Sequence, residues 1–297
     1  MSTEHPLTKL PLISRWHIRI GRSLVRQPLA MLGLAVLGVL VVLAIIAPVI
    51  SPHDPVVPDY GAALQSPSLE HPFGTDSFGR DVFSRVIHGT RVSVYVGLSI
   101  VFFGTLGGVP VGLVAGYYSG SLFDTALMRV VDSILAFPSI ILALTIMAVL
   151  GGGTQNVIIA LSIANVPVFA RLVRGSVLSV KEEEYIMSAV AVGSPDRKII
   201  SQYVLPNVMA PIIVQATLVF AFAVLNEAAL SFLGIGTQPP TPSWGLMLNE
   251  GKQFLEHAIW LTVFPGLSIM ITVLSLNFLG DGLRDVLDPK TLDDEFR

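Results

Sequence analysis

The sequence predicts an all-α membrane protein that crosses the bilayer six times. Of its 297 residues, 52% are hydrophobic and only 13% are charged, and the mean hydropathy is +0.71. Soluble domains carry about 25% charged residues, so the chain does not have the composition of a soluble domain. It also contains six apolar segments near the roughly 20 residues that a helix needs to cross a bilayer. We expect one N-terminal helix followed by a five-helix core.

The six predicted spans follow one another along most of the chain. They cover about residues 29–50, 92–117, 133–150, 157–178, 208–233 and 258–280. The first is too long for a signal peptide, and no small-residue cleavage pattern follows it, so we expect it to be retained. Residues 1–91 then form an N-terminal segment, the first helix and a long outer loop. Residues 92–297 form the core domain.

The positions of Lys and Arg set the orientation, because cytoplasmic loops carry an excess of these residues. With the N-terminus inside, only Arg80, Arg85, Arg91 and Lys252 of the 18 Lys and Arg residues fall outside. The other 14 fall on the cytoplasmic side. Both termini and the 181–206 loop are therefore predicted to be cytoplasmic.

The 181–206 loop, between the fourth and fifth predicted spans, is charged but has ordered helix signals. Glu182, Glu183 and Glu184 suit a first turn, because the helix dipole favours carboxylates there. Gly193 is expected to end this first helix as a C′ glycine. The apolar residues of this helix that share one face are Tyr185, Ile186, Ala189 and Val190.

A second short helix is expected to follow at once. Ser194 and Pro195 have the pattern of an N-cap followed by proline at the first helical position. Leu205 and Pro206 are expected to end this helix before the fifth span. Its apolar residues are Ile199, Ile200, Tyr203 and Val204. Periodicity alone leaves two alternatives, a loop lying on the membrane surface or one that docks a partner.

The 181–206 loop also resembles the EAA loop of ABC importer permeases. The similar pattern is Ser188-Ala189, then Gly193, then Leu205-Pro206, although Met187 stands where the family has Glu and Tyr203 where it has Ile. In that family the loop carries a coupling helix that inserts into a cleft on the nucleotide-binding subunit. The residues that the resemblance assigns to this contact are Glu184, Tyr185, Ser188, Ala189, Gly193, Ser194, Pro195, Leu205 and Pro206.

Three further segments resemble the C-type permease subunits of dipeptide, oligopeptide and nickel importers. They are Gly74-Thr75-Asp76-Ser77-Phe78-Gly79-Arg80-Asp81, the stretch from Phe232 to Gly245 with its Pro239-Pro240 pair, and Gly280-Asp281-Gly282-Leu283-Arg284-Asp285. The resemblance covers about residues 28–290. It implies a bacterial inner-membrane protein that forms half of a translocation pore. The implied partners are a homologous B-type permease subunit, two ATP-binding subunits and an external substrate-binding protein.

The same resemblance implies dipeptides or oligopeptides as the cargo. Nickel chelates, glutathione and other small solutes stay open, because related sequences carry them. Outside this class, the alternative is an ion-driven secondary transporter. Such a transporter would need ionisable residues at the midplane and discontinuous helices in repeated halves.

Four glycines spaced four residues apart give the second span a smooth face: Gly104, Gly108, Gly112 and Gly116. Small residues at this spacing let helix backbones approach closely in lipid. The partner helix is either in the same chain or in a second permease subunit.

Glu227, beside Asn226 late in the fifth span, is the clearest carboxylate within a predicted span. Charged groups in lipid usually face a cavity or a partner. Glu227 either lines the pathway or outer gate, or makes a hydrogen bond that holds the bundle. The same alternatives apply to Asn165, Gln215 and Asn277.

The outer segment 76–91 mixes charged and apolar residues in a way that predicts an amphipathic helix at the outer membrane surface. The alternative is a docking surface for the external substrate-binding protein, shared with the 234–257 loop that contains Trp244.

Several chemistries are not expected in this chain. There is no phosphate-binding G-x-x-x-x-G-K-[ST] loop, no H-E-x-x-H and no G-x-S-x-G, so an enzyme is not expected. ATP and Mg are expected on the partner ATPases. There are no cysteines, the six His residues are scattered without the close pairing of a metal site, and the net charge of −3 gives no reason to expect nucleic acid.

Overall fold

The computed structural model describes residues 24, 25 and 27–287. Within this part the secondary structure is helical apart from one isolated bridge between Thr75 and Asp81, which confirms the all-α prediction. Part of the predicted cytoplasmic charge lies outside the described residues. The residues concerned are Lys9, Arg15, Arg19, Arg22, Arg26, Lys290 and Arg297.

Among the described residues, five helices are long and apolar enough to cross a membrane. They are α1 (Pro28–Ile50), α2 (Val82–Tyr117), α5 (Thr154–Lys181), a continuous helix Asp196–Phe232 that contains α7 (Asp196–Ile199) and α8 (Leu205–Phe232), and α10 (Trp260–Leu287). The remaining α-helices of this part are α3 (Leu122–Leu135), α4 (Ser139–Leu150), α6 (Glu184–Ala191) and α9 (Trp244–Gly251).

The third predicted span, 133–150, is not one straight helix. It falls within α3 and α4, which are bent by 88° relative to each other. The break lies at residues 136–138, and Pro138 caps α4 with an extended ψ of 131°. Proline also disfavours the helical conformation in the residue before it, which explains why α3 ends here.

The bent pair nevertheless returns the chain across the membrane, because α2 and α5 run parallel. Gly104 faces Phe169 on α5, and Gly116 faces Val177 further along both helices. The connection between them must therefore cross the same thickness in the opposite direction. The 12 residues of α4 extend only about 18 Å, less than the bilayer core, so α4 alone does not make this crossing.

The parallel helices α2 and α5 form the centre of the bundle through the four-glycine face. Gly104, Gly108, Gly112 and Gly116 are all buried against α5. A Cβ atom at Gly108 or Gly112 would lie 2.5 Å from a backbone oxygen of α5. The glycines thus allow backbone contact between two helices of this chain.

The long helix that begins within the 181–206 loop and forms the fifth predicted span does not break at Pro206. It continues from α7 (Asp196–Ile199) through a π-helical turn, Ile200–Val204, into α8 (Leu205–Phe232). In this turn the N–H of Leu205 donates to the carbonyl of Ile200, five residues back. The predicted end at Leu205-Pro206 is wrong, because the wider turn accommodates a proline that has no N–H and would crowd a carbonyl of a regular helix.

At the other end of α2 lies a cap, formed by residues 51–81 and 233–259. The predicted surface helix over 76–91 is wrong: residues 82–91 are the first turns of α2, and Val82, Val86 and Ile87 are buried. Trp244 is only 1% exposed, and its indole N–H donates to the carbonyl of Val86 at 2.9 Å. Trp244 therefore holds the cap and is not available for docking.

Candidate functional site

The first helix of the 181–206 loop, α6, is anchored on one side and exposed on the other. Ile186 and Ala189 are buried in a core with residues of α2, α5 and α8. Tyr185 and Val190, predicted on the same face as these two, are 42% and 56% exposed. Met187 and Val192 are also exposed, so α6 and its C-cap residue Val192 present four large apolar side chains to their surroundings: Tyr185, Met187, Val190 and Val192.

The sharp corner after α6 is built as the sequence predicts. Gly193 has φ of +73°, the left-handed conformation that glycine adopts without strain. Its N–H donates to the carbonyl of Val190, and the N–H of Ser194 donates to the carbonyl of Ala189. This pair of bonds is a Schellman motif, which satisfies the free carbonyls at the end of a helix.

The start of α7 differs from the prediction by one residue. Pro195, and not Ser194, occupies the N-cap, with extended φ and ψ of −66° and 143°. Ser194 instead belongs to the corner that ends α6, where its N–H takes part in the Schellman motif. Ile199 and Val204 of the following turns are buried in the same core as Ile186.

The 181–206 loop is tied to the end of α2 by polar contacts. The carboxylate of Asp196 accepts hydrogen bonds from the hydroxyls of Tyr117 at 2.8 Å and Tyr118 at 2.9 Å. This hydrogen bond raises the pKa of Tyr118, because the neutral phenol is the form that donates. The Lys181 ammonium donates to the carbonyl of Tyr117 at 2.6 Å. The loop is thus tied to the end of α2 at Lys181, where the loop begins, and at Asp196, where α7 begins.

Ion pairs join α5 to α3 close to the loop. Arg174 donates two hydrogen bonds to the buried Asp124, at 2.8 and 2.9 Å. Arg171 and Asp132 make a second pair, but both side chains are more than half exposed. The bidentate Arg174 pair is the stronger of the two, since its carboxylate is shielded from water.

A cavity of about 510 Å³ lies beside α5, α8 and α10 on the half of the bundle nearer the loop. Gln215 contributes to its wall, together with Asp281 and Arg284. Most of the remaining lining is apolar: Leu172, Ala210, Pro211, Val214, Leu218, Gly280 and Leu287. A few polar groups on an apolar wall are typical of sites that hold a small molecule.

The other predicted pathway residues do not line this cavity. The side-chain amides of Asn165 and Asn277 donate to carbonyls four residues earlier, at 2.8 and 3.0 Å. Asn226 is half-buried, one residue before the fully buried Glu227.

Glu227 lies near the cap and faces the interior of the chain. Its Oε1 accepts hydrogen bonds from Ser231 at 2.7 Å and Thr237 at 3.1 Å. Ser231 also accepts from the backbone N–H of Thr237. Glu227 therefore links α8 to the cap residues that follow it, an arrangement that favours the packing alternative over the pathway one.

Sequence reasoning missed a buried charge cluster in the cap. Glu250 accepts from Arg80 at 3.1 Å and from Arg85 at 2.9 Å, and Asp76 accepts from Arg80 at 2.7 Å. Arg85 also donates to the carbonyl of Pro55. The motif Gly74 to Asp81 contains part of this cluster, but Glu250 is about 170 residues away and carries no local signal. Two arginines and two carboxylates balance their charges, as buried ions require.

Two of the six histidines, which are far apart in the sequence, lie close together in the structure. His53 and His71 are 18 residues apart in sequence, yet their ring centroids lie 4.6 Å apart. The 51–81 segment folds back on itself and brings them together, which sequence spacing could not reveal.

Comparison with known proteins gives two matching family models. The model described as binding-protein-dependent transport system inner membrane component matches residues 108–293. The model of the N-terminal transmembrane domain of oligopeptide transport permease C matches residues 14–67. Together these matches cover both the first helix and most of the core.

Curated relatives match along nearly the full chain. The dipeptide transport system permease protein DppC of Alkalihalophilus pseudofirmus is 48% identical over 278 residues, covering 94% of this chain and 91% of that protein. The glutathione transport system permease protein GsiD of Escherichia coli is 45% identical over 276 residues, covering 93% and 90%.

A solved structure also has a similar fold. It is the inward-facing MetNI methionine ABC transporter, with a TM-score of 0.57 and 19% identity, over 69% of this chain and 96% of that chain.

Proposed function

The chain belongs to the binding-protein-dependent inner membrane components, among the C-type permease subunits of dipeptide, oligopeptide and nickel ABC importers, and we propose that it imports dipeptides or oligopeptides. Members of this family are multi-span transport permeases of the bacterial inner membrane and are not enzymes. In our proposal the chain forms half of a translocation pore, and ATP with Mg is bound by separate ATPase subunits.

The observation that carries this proposal is the division of α6 into an anchored and an exposed face. A helix that rested on its own bundle would bury its apolar residues, yet Met187, Val190 and Val192 are 54%, 56% and 80% exposed. Exposed apolar side chains grouped in this way are typical of protein interfaces. We assign this surface to the ATPase subunits and its side of the membrane to the cytoplasm.

The anchored face gives the loop a way to transmit movement. Ile186 and Ile199 join the two short helices to one core, and Asp196 ties them to the end of α2. When the ATPases close on ATP, a push on α6 would move α7 and the continuous α8 together as a rigid body. Such movements switch a pore between inward-facing and outward-facing states.

The residues that line the cavity beside α5, α8 and α10 are our candidates for one wall of the pathway. Gln215, Asp281 and Arg284 are the polar residues of the cavity lining. A homologous B-type subunit placed across it would complete the pore. At the opposite end, the cap would face the external substrate-binding protein.

Relatives named for dipeptide and glutathione transport support a peptide cargo. Nickel chelates and other small solutes are the alternative within the same importer class. Selection in such systems would rest largely with the external substrate-binding protein.

The proposal is tested by uptake of labelled peptides of two to five residues into cells that lack only this chain. We expect uptake to return when the chain is restored. Uptake should stop when the phosphate-binding lysine of a partner ATPase is replaced and should survive collapse of the proton gradient. Uptake that persists without ATPase activity but needs an ion gradient would support a secondary transporter instead.

A further inference from the structure

The cap holds a cluster of metal-binding side chains at the two ends of one segment. His53 follows α1 by three residues, and Glu70 and His71 precede α2. One ligand atom from each of these three side chains lies within 4.8 Å of the other two. We propose that His53, Glu70 and His71 bind one divalent transition-metal ion, with zinc as the ion that fits best.

The orientation of His71 supports this assignment. Its Nδ1 lies 3.0 Å from Oδ1 of Asp81. Asp81 is itself held, because its Oδ2 accepts from the N–H and the hydroxyl of Ser84 at 2.8 and 2.7 Å. A metal-binding histidine usually donates its other ring N–H to a carboxylate in this way, which fixes the ring and leaves Nε2 for the metal.

The second imidazole supplies an independent observation. Nδ1 of His53 is buried and makes no hydrogen bond among the described residues; Oδ1 of Asp81 lies 3.9 Å from it, and the side chain as a whole is 37% exposed. The backbone N–H of His53 donates to the hydroxyl of Ser84, so the same serine positions both histidines. A buried nitrogen without a partner is costly unless something binds it.

The set of ligands indicates the class of ion. Two imidazoles and one carboxylate suit zinc and its neighbours, whereas magnesium and calcium prefer oxygen ligands alone. In a tetrahedral site with bonds of about 2.0 Å, ligand atoms lie about 3.3 Å apart. The three ligand atoms, which lie within 4.8 Å of one another, would therefore move closer together by up to about 1.5 Å, and a fourth position would stay open to water.

Binding would tie the start of the cap segment 51–81 to its end. The ion would sit beside Asp81, the N-cap of α2, at the opposite end of this helix from the 181–206 loop. The site would thus brace the cap over the bundle. It is separate from the cavity proposed for the cargo, so its role is distinct from transport of a metal chelate.

The test is titration of zinc chloride into the full-length chain, purified in detergent with a tag that lacks histidine and treated first with a chelator. We expect one zinc ion per chain and a rise in the unfolding temperature on binding. His53→Ala and Glu70→Gln should each weaken binding by about tenfold or more. The matched control is His257→Ala, which removes an exposed histidine of the cap and should leave the affinity unchanged.

X-ray absorption on the zinc-loaded wild-type chain keeps the test independent of the folding of any variant. We expect imidazole nitrogen ligands at about 2.0 Å. No saturable binding, a spectrum without imidazole ligands, or equal affinity in wild type, His53→Ala and Glu70→Gln would each overturn the proposal.

Discussion

The hydroxyl of Tyr117, the last residue of α2, donates a 2.8 Å hydrogen bond to the carboxylate of Asp196, the first residue of α7. The central helix of the bundle is thereby joined to the exposed loop. The contact is distant in sequence, by 79 residues. It explains how a surface loop can hold a fixed position relative to the helices that it would move.

Tyr117→Phe should loosen the 181–206 loop without unfolding the chain. A hydrogen bond of this kind contributes about 1 kcal/mol, enough for a shift of about fivefold in a coupled equilibrium. We expect slower uptake and weaker stimulation of the ATPases by substrate, while the complex still assembles. Tyr60→Phe, which changes an exposed tyrosine of the cap, is the control. Equal effects of the two variants would argue against this role.

Removing Arg174 should destabilise the chain, because it leaves the buried Asp124 without its partner. We expect Arg174→Gln to lower the free energy of unfolding by about 2 kcal/mol, a figure reduced for the partial exposure of Arg174. Arg171→Gln breaks an exposed pair and should change stability by less than about 1 kcal/mol. Thermal unfolding in detergent compares them, and similar losses in both variants would refute the distinction.

Two glycine-to-alanine substitutions, Gly112→Ala on the glycine face of α2 and Gly175→Ala on α5, should differ in their effect on stability. At Gly112 a Cβ would lie 2.5 Å from the carbonyl oxygen of Ala170, so Gly112→Ala must push α2 away from α5. We expect a loss of about 1–3 kcal/mol and a lower yield of folded protein. At Gly175 nothing lies within 4 Å of the added atom, and Gly175→Ala should be tolerated. The reverse order of stability would show that the close contact is not needed.

Two substitutions of Glu227 distinguish a role in packing from a role in the transport pathway. Glu227→Ala leaves the hydroxyls of Ser231 and Thr237 without their acceptor, and we expect it to cost about 1–3 kcal/mol. Glu227→Gln keeps an acceptor and should preserve assembly and most of the uptake. An assembled Glu227→Gln complex that no longer transports would instead support a role in the pathway.

Patterns within one segment predicted much of this molecule. Apolar length predicted the helices, and the turn chemistry of Gly193 predicted the corner after α6. Apolar length predicted one span over 133–150 and did not reveal the break at Pro138, because the apolar run continues on both sides of the proline. Pro206 led to the opposite error, because it predicted the end of a helix. A π-helical turn keeps the helix intact across it.

Contacts between distant segments could not be predicted. The charge cluster of Arg80, Arg85 and Glu250 and the pair of His53 and His71 depend on how the cap folds over α2. No local signal distinguishes these residues from exposed polar ones. The exposed half of α6 was missed for a similar reason, because periodicity shows that a face is apolar and not which part of it the bundle covers.

The central claim, that α6 docks the ATPase subunits, is tested most directly by protection of single cysteines from a thiol reagent. The chain has no cysteine of its own, so Val190→Cys on α6 and Val57→Cys in the cap each give one reactive site. Both valines are exposed, at 56% and 62%. We predict that the ATPases slow modification at position 190 and leave position 57 unchanged. Equal rates at position 190 with and without bound ATPases would contradict the account.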